Sequence, residues 1–108
     1  IRAIRMEEIR QKGIEACCQE LLDAVKTSHI HLSFDVDAIT PEAAPGTGTV
    51  VHSGLTTREA FLAVETIARS QKLVSMDMVE VNPILDERNK TGILASELVQ
   101  SALGKVVF

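Results

Sequence analysis

The sequence predicts an α/β fold in which helices cover a parallel β-sheet. Residues 14–25 repeat apolar side chains at the spacing of an amphipathic helix. Residues 29–36 alternate apolar and polar side chains, which is the period of a strand. Segments of these two kinds alternate along the chain, and this alternation favours a parallel sheet. We therefore expect a parallel sheet that is covered by helices, with the 108 residues belonging to one domain.

Three strands and three helices are expected. Thr56 and Glu59 have the spacing of a capping box, which marks the start of the second helix. Gly104 marks the end of the third helix. The predicted elements, in order, are a strand around Arg2 to Arg5, a helix over 14–25, a strand over 29–36, a helix with its apolar face from Ala60 to Ala68, a strand over 73–81 and a helix over 94–103.

Two segments between these elements are predicted to be loops. From Ala38 to Gly54, prolines and glycines are too frequent for regular structure, and loops this long are often functional. Within this loop, Gly46 to Thr49 resembles a phosphate-binding loop only weakly, because no Gly-Lys-Ser or Gly-Lys-Thr follows. The charged stretch from Asp86 to Lys90 is interpreted as a solvated connection.

Composition excludes several classes of function. The net charge of -4 and the lack of a basic run exclude nucleic acid as a partner. No apolar stretch approaches the roughly 18 residues that a membrane span needs. Cys17 and Cys18 are adjacent within a helical pattern, so we expect reduced core thiols in a cytoplasmic protein. The chain begins at Ile1, without methionine, which suggests a piece of a longer protein.

Acidic residues lie where two predicted strands end. Asp35 and Asp37 end one strand, and they would point to the same side if the backbone stayed extended; Glu80 ends the other. Because the carboxyl ends of parallel strands meet at one edge, the three carboxylates should converge and attract a cation. Hard oxygen ligands suit Mg, Mn or Ca. The alternative is that the two aspartates cap loop amides and that Glu80 is a solvated strand end.

Other polar residues are expected to have structural roles. His29 and His31 lie on or beside a strand, where a hydrogen-bonded role is commoner than metal ligation. Asp77 is expected to bond a neighbouring loop, or to support the carboxylates. His52 lies in the glycine-rich loop without a nucleophile or orienting partner nearby in sequence, so it receives no role.

Two blocks of this sequence resemble a known family. The run Ser33-Phe34-Asp35-Val36-Asp37, followed by Pro41, Pro45-Gly46 and Gly54, is similar to a signature of the arginase, agmatinase and formimidoylglutamase family. The second block, Met78 to Pro83, is similar to another block of that family. Its Asn82-Pro83 ending favours arginases over agmatinases. The chain as a whole most resembles a bacterial arginase. The resemblance spans essentially the whole chain.

The resemblance implies a fold, which is a three-layer α/β sandwich with a parallel sheet, and also a site and a reaction. Residues 1–108 would form the C-terminal portion of one ureohydrolase domain with two manganese ions in the complete enzyme. Asp35 would bridge both ions and share in catalysis, and Asp37 would bind one of them. Glu80 would bind the guanidinium group of a small-molecule substrate and act in catalysis, with Thr49 beside it. The implied reaction is metal-assisted hydrolysis of L-arginine to ornithine and urea, in a trimeric or hexameric homo-oligomer.

This sequence also departs from the family pattern. Ala38 and Thr40 stand where the family usually has Gly and Asp, and residues 50–53 replace a Pro that is followed by two glycines. These changes concern the loop rather than the proposed ligands. The family's remaining ligands, a His and an Asp-x-His-x-x-x-Asp block, would belong to an upstream segment of the family that these 108 residues do not include. We therefore expect the 108-residue chain alone to be inactive.

Three other functions remain as alternatives. The chain could be a non-catalytic module that binds a divalent cation weakly or serves oligomer assembly. It could belong to an agmatinase-type hydrolase. A magnesium-dependent phosphoryl-transfer enzyme using Asp35 and Asp37 ranks last, because the sequence has no convincing phosphate loop.

Overall fold

The computed structural model describes residues 1–104 and contains four α-helices and two strands in that range. The predicted domain, residues 1–108, runs past this range, and residues 105–108 lie outside the described part. No helix among the described residues is long and apolar enough to cross a membrane. The elements are α1 (Met6–Lys12), α2 (Ile14–Ala24), β1 (Ile30–Asp35), α3 (Thr57–Arg69), β2 (Leu73–Val79) and α4 (Lys90–Ala102), with short 3-10 turns at Val36–Ala38 and Pro83–Leu85.

The two strands pair in parallel. Phe34 of β1 lies opposite Met78 of β2, and Asp35 lies opposite Val79. The carboxyl ends of both strands therefore meet at the same edge of the sheet. The predicted α/β class and parallel sheet are confirmed.

One face of the sheet carries the main hydrophobic core. Phe34 packs there against Phe61 and Val64 of α3 and Leu98 of α4. Burial of a side chain of this size stabilises a fold by about 1.5–3 kcal/mol. A smaller cluster joins α2 to α3 through Ile14, Cys18 and Ala63. The helices thus fix one face of the sheet, and the polar side chains of the strands lie on the other face.

The capping box that was predicted for the second helix is present. The Thr56 hydroxyl accepts a hydrogen bond from the Glu59 N–H at 3.1 Å, and the Glu59 carboxylate accepts one from the Thr56 N–H at 2.9 Å. Helix α2 matches its predicted range to within one residue. Helix α4 begins at Lys90, four residues before the predicted start, because its first turn is capped from outside the apolar pattern.

The predicted strand around Arg2 to Arg5 is wrong. This segment pairs with neither strand, and the Arg2 guanidinium instead bonds the Glu8 and Glu20 carboxylates at 2.6 and 3.2 Å. Side-chain ion pairs thus attach the segment to α1 and α2. Helix α1 was not predicted, because it buries no residue and so carries no apolar stripe. Both strands end one or two residues earlier than predicted.

The long loop closes on itself at its ends. The Thr40 N–H donates to the Leu55 carbonyl and the Leu55 N–H donates to the Ala38 carbonyl, both at 2.8 Å. Gly54 lies against this contact. A Cβ atom at Gly54 would lie 2.6 Å from the Ala38 carbonyl oxygen and 2.9 Å from the Thr40 nitrogen. Only glycine fits here without a shift of the backbone.

We predict that Gly54→Ala lowers the free energy of unfolding of the full-length protein by about 1–3 kcal/mol, the usual cost of forcing an extra methyl group into a packed site. Gly48→Ala is the matched control, because a Cβ at Gly48 meets no atom within 4 Å. The measurement is chemical denaturation of both variants and the wild type. Equal stability of the two variants would contradict the prediction.

Candidate functional site

The first part of the candidate site is the end of β1. The Asp35 side chain accepts a hydrogen bond from the Asp37 N–H at 3.0 Å and caps the 3-10 turn over Val36–Ala38. The backbone therefore turns at Val36. It does not stay extended through Asp37, which was the condition for the two aspartates to point to the same side. The alternative, in which Asp35 caps a loop amide, is present in the structure. This hydrogen bond uses one carboxylate oxygen of Asp35, so the other oxygen is still able to bind a metal ion.

The three acidic residues at this edge influence one another. Burial raises the pKa of Asp37 above its ordinary value, and the hydrogen bond with Asp35 and the negative charges of Asp35 and Glu80 raise it further. The parallel pairing places the ends of β1 and β2 at one edge of the sheet, with Asp35 and Asp37 at one strand end and Glu80 at the other. Such a group of like charges favours binding of a cation.

Glu80 has an unusual backbone conformation. Its φ angle is 68°, in the left-handed region that favours glycine, and it directly follows β2. A residue other than glycine in a sparsely populated conformation costs on the order of 1–3 kcal/mol, and such residues cluster at functional sites. This left-handed conformation turns the backbone away from the direction of β2 at Glu80. The alternation of apolar and polar residues in the sequence does not predict such a turn.

The donor set fits part of a site for a hard cation. Asp35 and Asp37 supply carboxylate oxygens, the ligands that manganese and magnesium accept. Within residues 1–104, no group of three or more His, Cys, Asp or Glu side chains is arranged to hold a metal ion. The described residues could therefore provide only some of the ligands of a metal centre.

The long loop reaches the segment that follows Glu80. The Asn82 N–H donates to the Gly46 carbonyl at 2.7 Å, so the Gly46 to Thr49 segment is attached close to Glu80 along the chain. Thr49 is exposed. The neighbouring Thr47 is buried, and its hydroxyl has no hydrogen-bond partner in the structure. The segment thus brings exposed and buried threonines to the region of the acidic edge.

Asn82 and Pro83 have a local structural role. The Asn82 side chain accepts a hydrogen bond from the Ile84 N–H at 3.1 Å and caps the 3-10 turn over Pro83–Leu85. Proline at the first position of this turn needs no N–H partner. The Asn-Pro pair therefore fixes where the chain turns after Glu80.

A polar network joins the two strands on the face away from the helices. His31 bonds the Ser75 hydroxyl at 2.8 Å through Nδ1 and the Asp77 carboxylate at 3.0 Å through Nε2. Ser33 donates to the other Asp77 oxygen at 2.6 Å. The structural role that was expected for His31 is thus confirmed, whereas Asp77 bonds side chains of β1 rather than a loop. The hydrogen bond from Ser33 and then that from His31 lower the pKa of Asp77.

The remaining candidates lie away from the acidic edge or make other contacts. His29 lies beside β1 and bonds the Ser28 hydroxyl at 3.1 Å. His52 is exposed. Cys17 and Cys18 are buried and free, as predicted, and burial raises the pKa of the Cys18 thiol.

The stretch from Asp86 to Lys90 is not simply a solvated connection. The Asp86 carboxylate accepts hydrogen bonds from the N–H groups of Thr91 and Gly92 at 3.0 and 3.1 Å. These N–H groups belong to the first turn of α4, where backbone N–H groups have no partner within the helix. An acidic side chain is well suited to accept hydrogen bonds from them. The capping role of Asp86 was not predicted from the sequence. The position of Asp86 shortly before the start of α4 was the feature that could have indicated this role.

Similarity to known proteins points to one family. A model of the arginase family matches residues 1–104. Arginase from Bacillus caldovelox is 44% identical over 107 residues, which cover 97% of this chain and 36% of that protein. The crystal structure of arginase from Bacillus subtilis matches with a TM-score of 0.95 and 42% identity, covering 100% of this chain and 39% of that one. Formimidoylglutamase from Bacillus subtilis matches with a TM-score of 0.90 and 34% identity, covering 95% of this chain and 33% of that one. The chain thus spans little more than a third of the relatives' length.

We predict that the polar network contributes stability that depends on pH. Because the pKa of Asp77 is lower in the folded state than in the unfolded state, its contribution is present above the unfolded pKa of about 3.9 and is lost as the pH falls through the folded value. The stability difference between the full-length wild type and Asp77→Asn should therefore shrink as the pH is lowered below about 4. Thermal melting as a function of pH measures this difference.

The Ser33→Ala variant provides the control. Its effect on stability should be smaller in the Asp77→Asn background than in the wild type, because the two side chains share a hydrogen bond. A stability difference between wild type and Asp77→Asn that does not change with pH would contradict the prediction.

Proposed function

This chain belongs to the arginase family, and from that premise we propose that it contributes part of the active site of a manganese-dependent hydrolase. The reaction would be hydrolysis of the guanidinium group of L-arginine to ornithine and urea. The observation that carries the proposal is the parallel pairing of β1 and β2, by which Asp35 and Asp37 at the end of one strand and Glu80 after the other lie at the same edge of the sheet. Identity of 44% with an arginase over 97% of the chain favours arginine as the substrate.

Asp35 and Asp37 would hold manganese, with Asp35 bridging two ions and Asp37 binding one of them. The lone pairs of Asp35 that remain beyond its bond to the Asp37 N–H leave room for this role. When bound, manganese would supply the Lewis acidity that makes water a competent nucleophile at neutral pH. Further ligands would come from parts of the enzyme outside this chain, which would form the C-terminal portion of a single domain.

Glu80 would bind the guanidinium group. A carboxylate accepts two parallel N–H bonds from a guanidinium group, and such charge-assisted pairs are strong and directional. The left-handed backbone at Glu80 would orient its carboxylate toward the substrate, with the cost of this conformation offset by the surrounding structure. Thr49 would lie beside the same group. Glu80 would thus hold the guanidinium carbon in position for attack and stabilise its positive charge.

Two other functions stay open as alternatives. An agmatinase- or formimidoylglutamase-type activity is supported by the TM-score of 0.90 with a formimidoylglutamase, although the Asn82-Pro83 ending favours arginase. A non-catalytic module for cation binding or oligomer assembly would keep the same carboxylates without turnover. We also propose a cytoplasmic homo-oligomer, either a trimer or a hexamer. The net charge of -4 argues against nucleic acid as a partner.

The substrate assay tests the proposal directly. Full-length enzyme with added manganese is incubated with arginine, agmatine or formimidoylglutamate, and release of urea or formamide is measured. We expect urea from arginine alone. We expect none from the 108-residue chain, which supplies two proposed metal ligands and no complete group of three among its described residues. Turnover by that chain at the rate of the full-length enzyme would contradict the expectation of inactivity, and no product from any substrate would leave the non-catalytic alternative.

We predict that Glu80→Gln in the full-length enzyme lowers kcat/KM for arginine by about 100-fold or more, the usual effect of removing a group that stabilises charge at the reacting centre. Bound manganese should stay unchanged, because Glu80 is not a proposed ligand. Glu87→Gln is the matched control, since Glu87 is an exposed carboxylate in the following loop. Kinetics together with metal analysis measure both effects, and equal kcat/KM for the two variants would argue against the role of Glu80.

A further inference from the structure

Gly46 is held at both of its backbone groups by the segment that follows β2. Its N–H donates to the Thr91 hydroxyl at 2.8 Å, and its carbonyl accepts from the Asn82 N–H at 2.7 Å. Thr91 is 0% exposed, so this contact is shielded from water. Buried hydrogen bonds of this kind are costly to break, since an unpaired N–H keeps its full desolvation penalty. The loop is therefore fixed at Gly46.

Thr91 is itself held by Asp86. The Asp86 carboxylate accepts hydrogen bonds from the Thr91 N–H at 3.1 and 3.0 Å. Burial opposes ionisation of Asp86, but the hydrogen bonds from Thr91, Gly92 and Glu87 together lower its pKa. An ionised carboxylate thus holds the Thr91 backbone in place, while the Thr91 hydroxyl accepts from the Gly46 N–H.

The contact leaves no free space. A Cβ atom at Gly46 would lie 2.6 Å from the Asp86 Cγ and 2.9 Å from its Oδ1. Gly46 is therefore packed directly on Asp86 as well as bonded to Thr91. Capping of α4 needs only the Asp86 carboxylate, so it does not explain why the Thr91 hydroxyl also binds the loop.

We infer that Thr91 and Asp86 are positioning residues that hold the loop bearing Thr49 in place relative to Glu80. This inference rests on the proposed function, since it concerns the same site. Thr49 lies three residues after Gly46, and Glu80 lies two residues before Asn82. The hydrogen bond of Gly46 to Asn82 joins the loop to the segment that follows Glu80, and the hydrogen bond to Thr91 fixes the same loop on α4. Without Thr91, the loop keeps the Asn82 contact and loses the one to α4.

Replacement of Thr91 in the full-length enzyme tests the inference. Thr91→Val removes the hydrogen bond between the Gly46 N–H and the Thr91 hydroxyl at constant shape, and we expect kcat/KM for arginine to fall about tenfold or more through misplacement of the site. Thr91→Ser keeps the hydroxyl and should stay within about twofold of the wild type. Thr66→Val is the matched control, because it removes a buried hydroxyl of α3 that bonds the Leu62 carbonyl, away from the loop. All assays are run well below the melting temperature of each variant.

Amide hydrogen exchange gives a second readout that needs no activity. Thr91→Val should speed exchange over residues 46–49, whereas Thr66→Val and Thr91→Ser should leave it unchanged. If Thr91→Val matches Thr66→Val in both kcat/KM and exchange, the inference is overturned. If exchange speeds up but kcat/KM is unchanged, Thr91 anchors the loop without positioning the site, which also overturns it.

The two proposals fail in different ways. If the wild-type enzyme releases no urea or formamide from any substrate, the proposed function is wrong, and a positioning role in catalysis falls with it. If the wild type is active and Thr91→Val is equally active, only the positioning role is wrong. Loss of activity in Thr91→Val that Thr91→Ser restores supports both.

Discussion

The parallel pairing of β1 and β2 is the constraint on which the candidate site depends. With Asp35 opposite Val79, the residues that follow both strands emerge at one edge of the sheet. Core packing of Phe34 and Met78 against the helices stabilises that register. A shift of either strand by one residue would turn every side chain to the opposite face. The placement of these acidic residues at one edge is therefore a consequence of hydrophobic packing on one face of the sheet.

Much of this arrangement was predictable because it is periodic. The apolar stripe of α2 and the alternation in β1 appear in the sequence since burial on one face requires them. The order of these elements predicted the parallel sheet, and the position of Asp35 and Glu80 at strand ends then predicted the acidic edge. Periodic burial therefore makes the strands predictable from the sequence. Residues at the ends of those strands can then be predicted to lie at the same edge of the sheet.

Other features were missed because single local contacts determine them. The segment from Arg2 to Arg5 was predicted to be a strand, but the ion pairs of Arg2 with Glu8 and Glu20 attach it to helices. The left-handed backbone of Glu80 follows from no residue preference. Asp86 lies in a charged stretch that looks solvated, yet it caps α4 from four residues before that helix begins. Such contacts join residues whose proximity only the folded chain establishes.

The close contact between Gly46 and Asp86 has a consequence for how this sequence can change. Since a side chain at position 46 would overlap the Asp86 carboxyl group, neither position can accept a larger residue independently of the other. A substitution at 46 would be tolerated in evolution only with a smaller residue at 86, which would in turn leave the first turn of α4 without its acidic cap. These two positions, 40 residues apart in sequence, should therefore vary as a pair among homologues.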